Sequence, residues 1–150
     1  MCVRDYMTTQ VITVPPLDPA VRALELIETH RIDQLPVVVE GKLVGLLTKK
    51  DLRDALQSAS EVAGRMRSPL DLGGLTVEMV MTPHVLTVRP DDPIVYAARL
   101  MRRERIGCLP VVEGSRLVGI LTRSDLLGAL ADNVVEDEEV GAVGACARVA

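Results

Sequence analysis

A single displacement organises this sequence. Met7-Thr8 recurs as Met81-Thr82, 74 residues further on. The same displacement, without a gap, carries Val11-Ile12-Thr13-Val14 onto Val85-Leu86-Thr87-Val88 and Asp18-Pro19 onto Asp92-Pro93. It also carries Leu35-Pro36-Val37-Val38 onto Leu109-Pro110-Val111-Val112, Leu43-Val44-Gly45 onto Leu117-Val118-Gly119, and Thr48 and Asp51 onto Thr122 and Asp125. Chance does not hold register through so many separate matches. The chain is a duplication, and any fold assigned to it must be built twice.

Each half reads alike. Val11–Val14 alternates as a short strand. Asp18 suits a helix N-cap and Pro19 the first helical position. Ala20, Val21, Leu24 and Ile27 then share one helix face, with Arg22, Glu25 and Glu28 mostly outward. Strands are predicted over 35–39 and 42–47, joined at Glu40-Gly41. A second short helix is predicted from Thr48, burying Leu52, Ala55 and Leu56. The second half repeats this with Asp92, a helix over 94–101, strands over 109–112 and 116–121, and a helix from Thr122. One such half is a thin layer that cannot cover both faces of its sheet, which explains the pairing. We expect a first unit at 1–58, a Ser/Gly/Pro-containing linker at 59–76 and a second unit at 77–131. Residues 132–150, acidic at Glu136-Asp137-Glu138-Glu139 and then rich in Gly and Ala, read as a solvated tail.

Composition narrows the functions. Apolar residues make up 48% of the 150, so a core is available, yet Phe and Trp are absent and Tyr6 and Tyr96 are the only aromatics. That leaves an aliphatic core and no aromatic platform for stacking single-stranded nucleic acid. A formal charge of −4 without a basic block argues against duplex binding. No apolar run is long enough to span a membrane, and the charged start Met1-Cys2-Val3-Arg4-Asp5 does not read as a signal peptide. Cys2, Cys108 and Cys146 are odd in number and far apart, which fits reduced thiols in a cytoplasm and does not fit a zinc site. His30 and His84 do not coincide in the repeat and read as surface residues.

The repeated motifs resemble the cystathionine-β-synthase-type (CBS) domain family. They are Val-x-Asp-x-Met-Thr (Val3, Asp5, Met7, Thr8), Val-x-Thr-Val, Leu-Pro-Val-Val, and Gly-x-x-Thr-x-x-Asp at Gly45–Asp51 and again at Gly119–Asp125. The resemblance implies an α+β fold: a tandem β-α-β-β-α duplication packed through its sheets, often paired further into a flat homodimer. The aliphatic faces near Leu24, Ile27 and Met101 would serve that pairing, and Val37, Val44 and Leu46 the contact between units. It also implies adenosine-containing ligands in clefts between the units, as regulatory ligands with no required cofactor.

By that resemblance, Asp51 and Asp125 accept hydrogen bonds from ribose hydroxyls, and Thr48 and Thr122 contact ribose or phosphate. An ionised carboxylate has two acceptor oxygens, which suits a vicinal diol. The same Thr-x-x-Asp spacing is also a helix-capping pattern, and one pair can do both. Val11, Ile12, Thr13, Val85, Leu86 and Thr87 would meet the adenine edge through their backbone, although alternation explains them equally as core strands. Pro36, Val37, Pro110 and Val111 would wall the base, beside their sheet packing. Lys49 and Arg123 are the nearest cations for a phosphate, and either also reads as solvated surface.

Relatives that bind nucleotides often carry His or Arg just before the Leu-Pro proline, where this chain has Asp33-Gln34 and Gly107-Cys108. AMP-like ligands or S-adenosylmethionine are therefore expected over ATP, with ADP and NAD also in view. The competing reading is a structural, dimerising pair with degenerate clefts. An enzyme has little support, because no nucleophile, acid–base pair or metal cluster stands out.

Overall fold

The computed structural model describes residues 1–66 and 74–140. Residues 67–73 of the expected linker and the Gly/Ala-rich end at 141–150, with Cys146, lie outside the described residues. Each half has a hairpin and two flanking helices. The first half contains α1 (Ala20–His30), β1 (Gln34–Val39), β2 (Lys42–Thr48) and α2 (Lys49–Met66). The second half opens with α3 (Val77–Val80) and the two-residue β3 (Thr82–Pro83). It continues with α4 (Ile94–Glu104), β4 (Cys108–Glu113), β5 (Arg116–Thr122) and α5 (Arg123–Val140). The antiparallel sheet runs β1-β2-β5-β4, and β3 pairs with β2.

Local chemistry accounts for most of these elements. The β1–β2 turn places Glu40 at φ 50° and Gly41 at φ 79°, the double positive φ that a two-residue hairpin with native twist requires. Val14, Ala20, Ala23, Ile27, Leu35, Val37, Leu47 and Leu52 form one core. Val88, Ala97, Leu100, Met101, Leu109, Val111, Leu121 and Ala129 form its counterpart. Ile27 and Met101 are therefore interior and unavailable for pairing between chains. Val37 likewise points into its own core, and Val44 packs on that same core. Of the three residues expected between the units, Leu46 lies there, in a cluster with Cys108 and Ile120.

Three expectations change in the structure. The strands at Val11–Val14 and Val85–Val88 shrink to single bridges, Val14 to Val37 and Val88 to Val111. Asp18 does not cap α1. Pro19 holds that position without a side-chain hydrogen bond, and the Ala20 N–H is met by the Leu75 carbonyl at 2.8 Å. The acidic segment at 136–139, expected within a solvated tail, is part of α5, which runs to Val140.

The segment that opens each half is built into the other half. Val3 belongs to the second core and Val77 to the first. The Val3 N–H donates to the Asp92 carbonyl, and the Val77 N–H donates to the Asp18 carbonyl, both at 2.9 Å. Thr8 exchanges two 2.9 Å backbone bonds with Ile120, and Thr82 pairs with Leu46. This exchange explains the glycine of each Gly-x-x-Thr-x-x-Asp motif. A Cβ on Gly119 would stand 3.0 Å from the Thr8 carbonyl and 2.8 Å from Met7 Sδ. One on Gly45 would stand 3.1 Å from the Thr82 carbonyl and collide with Met81. A side chain at either position would push the exchanged segment off its sheet.

Candidate functional site

The exchange brings the end of β2 beside the opening segment of the second half, and a cleft forms between them. Its 420 Å³ apolar compartment is bordered by Leu46 and Thr48 from the first unit. Val85, Leu86, Ile106 and Cys108 close it from the second. A second compartment of 380 Å³ shares Gln34 and Thr48 with the first and is polar, lined by Lys49, Lys50, Arg53, Asp33 and Asp54. Arg53 is engaged by Glu28 at 3.4 Å. Lys49 and Lys50, which form no ion pair among the described residues, stand among two carboxylates, so the compartment carries little net positive field.

Thr48 sits at the strand-to-helix corner. Its Oγ1 accepts the Asp51 N–H at 3.1 Å, which satisfies one orphan donor of α2. The Asp51 carboxylate is exposed and makes no hydrogen bond among the described residues. The Thr122 corner differs. Asp125 Oδ2 accepts from the Thr122 N–H at 2.7 Å and from Thr122 Oγ1 at 3.0 Å, and Thr122 Oγ1 accepts the Asp125 N–H at 3.4 Å. This is a reciprocal capping box, and it occupies the carboxylate that a ligand would need.

The structure thus brings together Thr48, Lys49, Val85 and Leu86, while Asp51, in the first turn of α2, lines neither compartment. Val11 packs against the Leu46–Cys108–Ile120 cluster and Ile12 against the first core. Thr13 is half-buried. Thr87 faces other cavities, beside Val112 and Gly114. Val37 and Val111 are fully buried in their own cores and wall no cleft. Pro36 and Pro110 are buried in their strands, and their carbonyls accept the N–H groups of Val14 and Val88 at 3.1 Å. Arg123 borders a groove between α4 and α5.

Several cleft residues were not among the ligand contacts expected: Leu46, Thr82, His84 and Ile106. His84 is exposed, as expected, but it stands on the cleft rim with φ 53°. The available signal was the repeat itself, once the opening of one half is placed on the sheet of the other. Burial pushes the Cys108 thiol up to about 11, so it stays protonated and is an apolar surface of the cleft. Among the described residues no His/Cys/Asp/Glu group could hold a metal ion, and no helix is long and apolar enough to cross a membrane.

The likeness to known proteins covers most of the chain. The CBS domain profile matches residues 3–58 and 77–132. The CBS domain-containing protein YhcV of Bacillus subtilis is 35% identical over 139 residues, spanning 93% of this chain and 89% of its own length. The structure of CBSX2 in complex with AMP superposes with a TM-score of 0.75 at 32% identity, covering 89% of this chain and 98% of that one. The CBS domain pair of MJ0100, solved with 5′-methylthioadenosine and S-adenosyl-L-methionine, gives a TM-score of 0.72 at 29% identity, with 89% and 98% covered. A duplicated hairpin-and-helix unit, exchanged openings and these matches agree: the chain belongs to the CBS-domain family, as a tandem CBS pair.

Proposed function

We propose that this CBS pair is a non-catalytic regulatory module that binds one adenosine-containing ligand in the Thr48 cleft. The observation that carries the reading is the contrast at the two corners: three residues from Thr48 of the cleft, the Asp51 carboxylate has no partner among the described residues, while Asp125 is held by its own cap. The base would lie in the apolar compartment against Leu46, Val85 and Leu86. The ribose diol would reach Asp51, and the 5′ substituent would enter the polar compartment. Lys49 and Lys50 there are offset by Asp33 and Asp54, which favours a singly phosphorylated or zwitterionic tail over a triphosphate. The AMP, methylthioadenosine and S-adenosylmethionine complexes of the CBS relatives support the same ligand class. We further propose that the module is cytoplasmic and self-associates as a homodimer.

Calorimetry with AMP, S-adenosylmethionine and ATP tests this. One ligand per chain is expected, with ATP no tighter than AMP. Binding of ATP about tenfold tighter, a gain of about 1.4 kcal/mol, would overturn the charge argument. Absence of any adenosine binding would leave the structural-pair reading in possession.

A further inference from the structure

β2 meets the second unit at two separate stretches, and a cavity lies between them. At one stretch Gly45 and Leu46 pair with Pro83 and Thr82 of β3. At the other, the Leu43 N–H donates to the Ser115 carbonyl at 3.0 Å, and Lys42 pairs with Arg116. Val44 falls in the gap. It is also the bulge residue of β2, since Val37 pairs with Gly45 and Val38 already with Leu43. The second unit's chain turns at this point, with His84 at φ 53°. The space left is a cavity of 450 Å³ walled by Leu43, Val44 and Val112, with Thr87 and Ser115 at its polar edge. It shares His84 and Val85 with the apolar compartment of the Thr48 cleft, so the two adjoin. Their order follows β2: Thr48 at the corner, Leu46 about 7 Å along the strand and Val44 about 13 Å along it.

We propose that the Thr48 cleft takes an adenosine ligand carrying an apolar substituent on its N6 amino group, and that the Val44 cavity receives the substituent. This rests on the reading of the cleft given above and names a narrower ligand class for it. With the ribose at the Thr48 corner and the base against Leu46, the base edge remote from the sugar points along β2 toward Val44. N6 lies on that edge. An apolar group there leaves water for walls of Leu and Val, which is favourable in proportion to the area buried. A cationic group would find no carboxylate along these walls. The repeat makes this a property of one half: Gly114 borders the cavity where the first half carries Glu40.

Calorimetry on the full chain with AMP, N6-benzyl-AMP and 8-benzylamino-AMP tests the assignment. N6-benzyl-AMP is expected to bind about tenfold tighter than AMP. The 8-benzylamino ligand, whose ring leaves the base from a different edge, should show no such gain. Ser115→Trp fills the cavity from the exposed hairpin turn. It should erase the N6-benzyl gain and leave AMP affinity at the parent's. Leu43→Trp is the second plug, made from β2, should the first fail to fold. AMP binding with no gain for N6-benzyl-AMP, an equal gain for both benzyl ligands, or a gain that survives a folded plug variant would overturn the proposal while leaving the cleft reading in place. Failure of all three ligands to bind would overturn the cleft reading and this proposal with it.

Discussion

The Thr48 and Thr122 corners carry one pattern at equivalent places and use it differently. At Thr122 the hydroxyl and the carboxylate cap each other, so the helix start is closed by its own side chains. At Thr48 the hydroxyl alone receives the Asp51 N–H, and the carboxylate has no partner among the described residues. A capping box and a ribose acceptor are thus alternative uses of the same oxygen atoms. Motif spacing cannot choose between them, whereas the surroundings of each carboxylate can.

The most forceful way to break this comparison is to separate the corners. If each owed its geometry to local sequence, each half would keep it alone. We expect residues 1–66 alone to lose cooperative folding altogether. Val77, fully buried in the first core, would be missing, and Val3 would have nowhere to pack. Circular dichroism melting checks this, and a soluble, monomeric fragment with a sharp transition would refute it.

The next largest effect belongs to Asp51→Asn. Asn presents one acceptor and one donor in place of two acceptors, so it cannot take both diol protons. Hydrogen bonds to a charged group are worth about 1.5–3 kcal/mol, or roughly ten- to a hundredfold in AMP affinity. The melting temperature of the free protein should hardly move, because the cap at Thr48 is made by the hydroxyl. Unchanged AMP titrations would remove Asp51 from the site.

The smallest effect sharpens the contrast from the other side. Asp125→Asn disturbs a capping box, which costs on the order of 1 kcal/mol of stability. It should lower the melting point slightly and leave AMP binding near the parent's. If Asp125→Asn instead abolishes binding while Asp51→Asn does not, the roles of the two corners are exchanged.

Much of the architecture was legible because it is written twice. The hairpins, the helices and the Thr-x-x-Asp corners all follow from periodicity and turn chemistry. The Val11–Val14 strand was overread. Alternation marks one side as buried, but Val11 and Ile12 are only partly buried, by side-chain packing without ladder partners, and of the four residues only Val14 makes a bridge. The cleft was half legible. Thr48 and Leu86 were both named, but nothing in their spacing says that they come from different units and meet. That depends on Val3 and Val77, whose apolar character announces burial without naming the core. Val37 and Val111 were misplaced for a related reason: a strand residue beside a cleft and one facing its own helices look identical in sequence.

The exchanged openings also set a timetable. A chain made from its N-terminus normally lets an early domain settle before a later one appears. Here Val3 and Met7 leave the ribosome well before Val88, Gly119 and Ile120, and have no seat until those residues have been made. The first unit, for its part, waits for Val77. No stable halfway structure is available, and the contacts that close the fold are among the most distant in sequence, the kind that slow folding most. The fold can close only late, once β5 and the part of α5 that carries Ala129 have emerged.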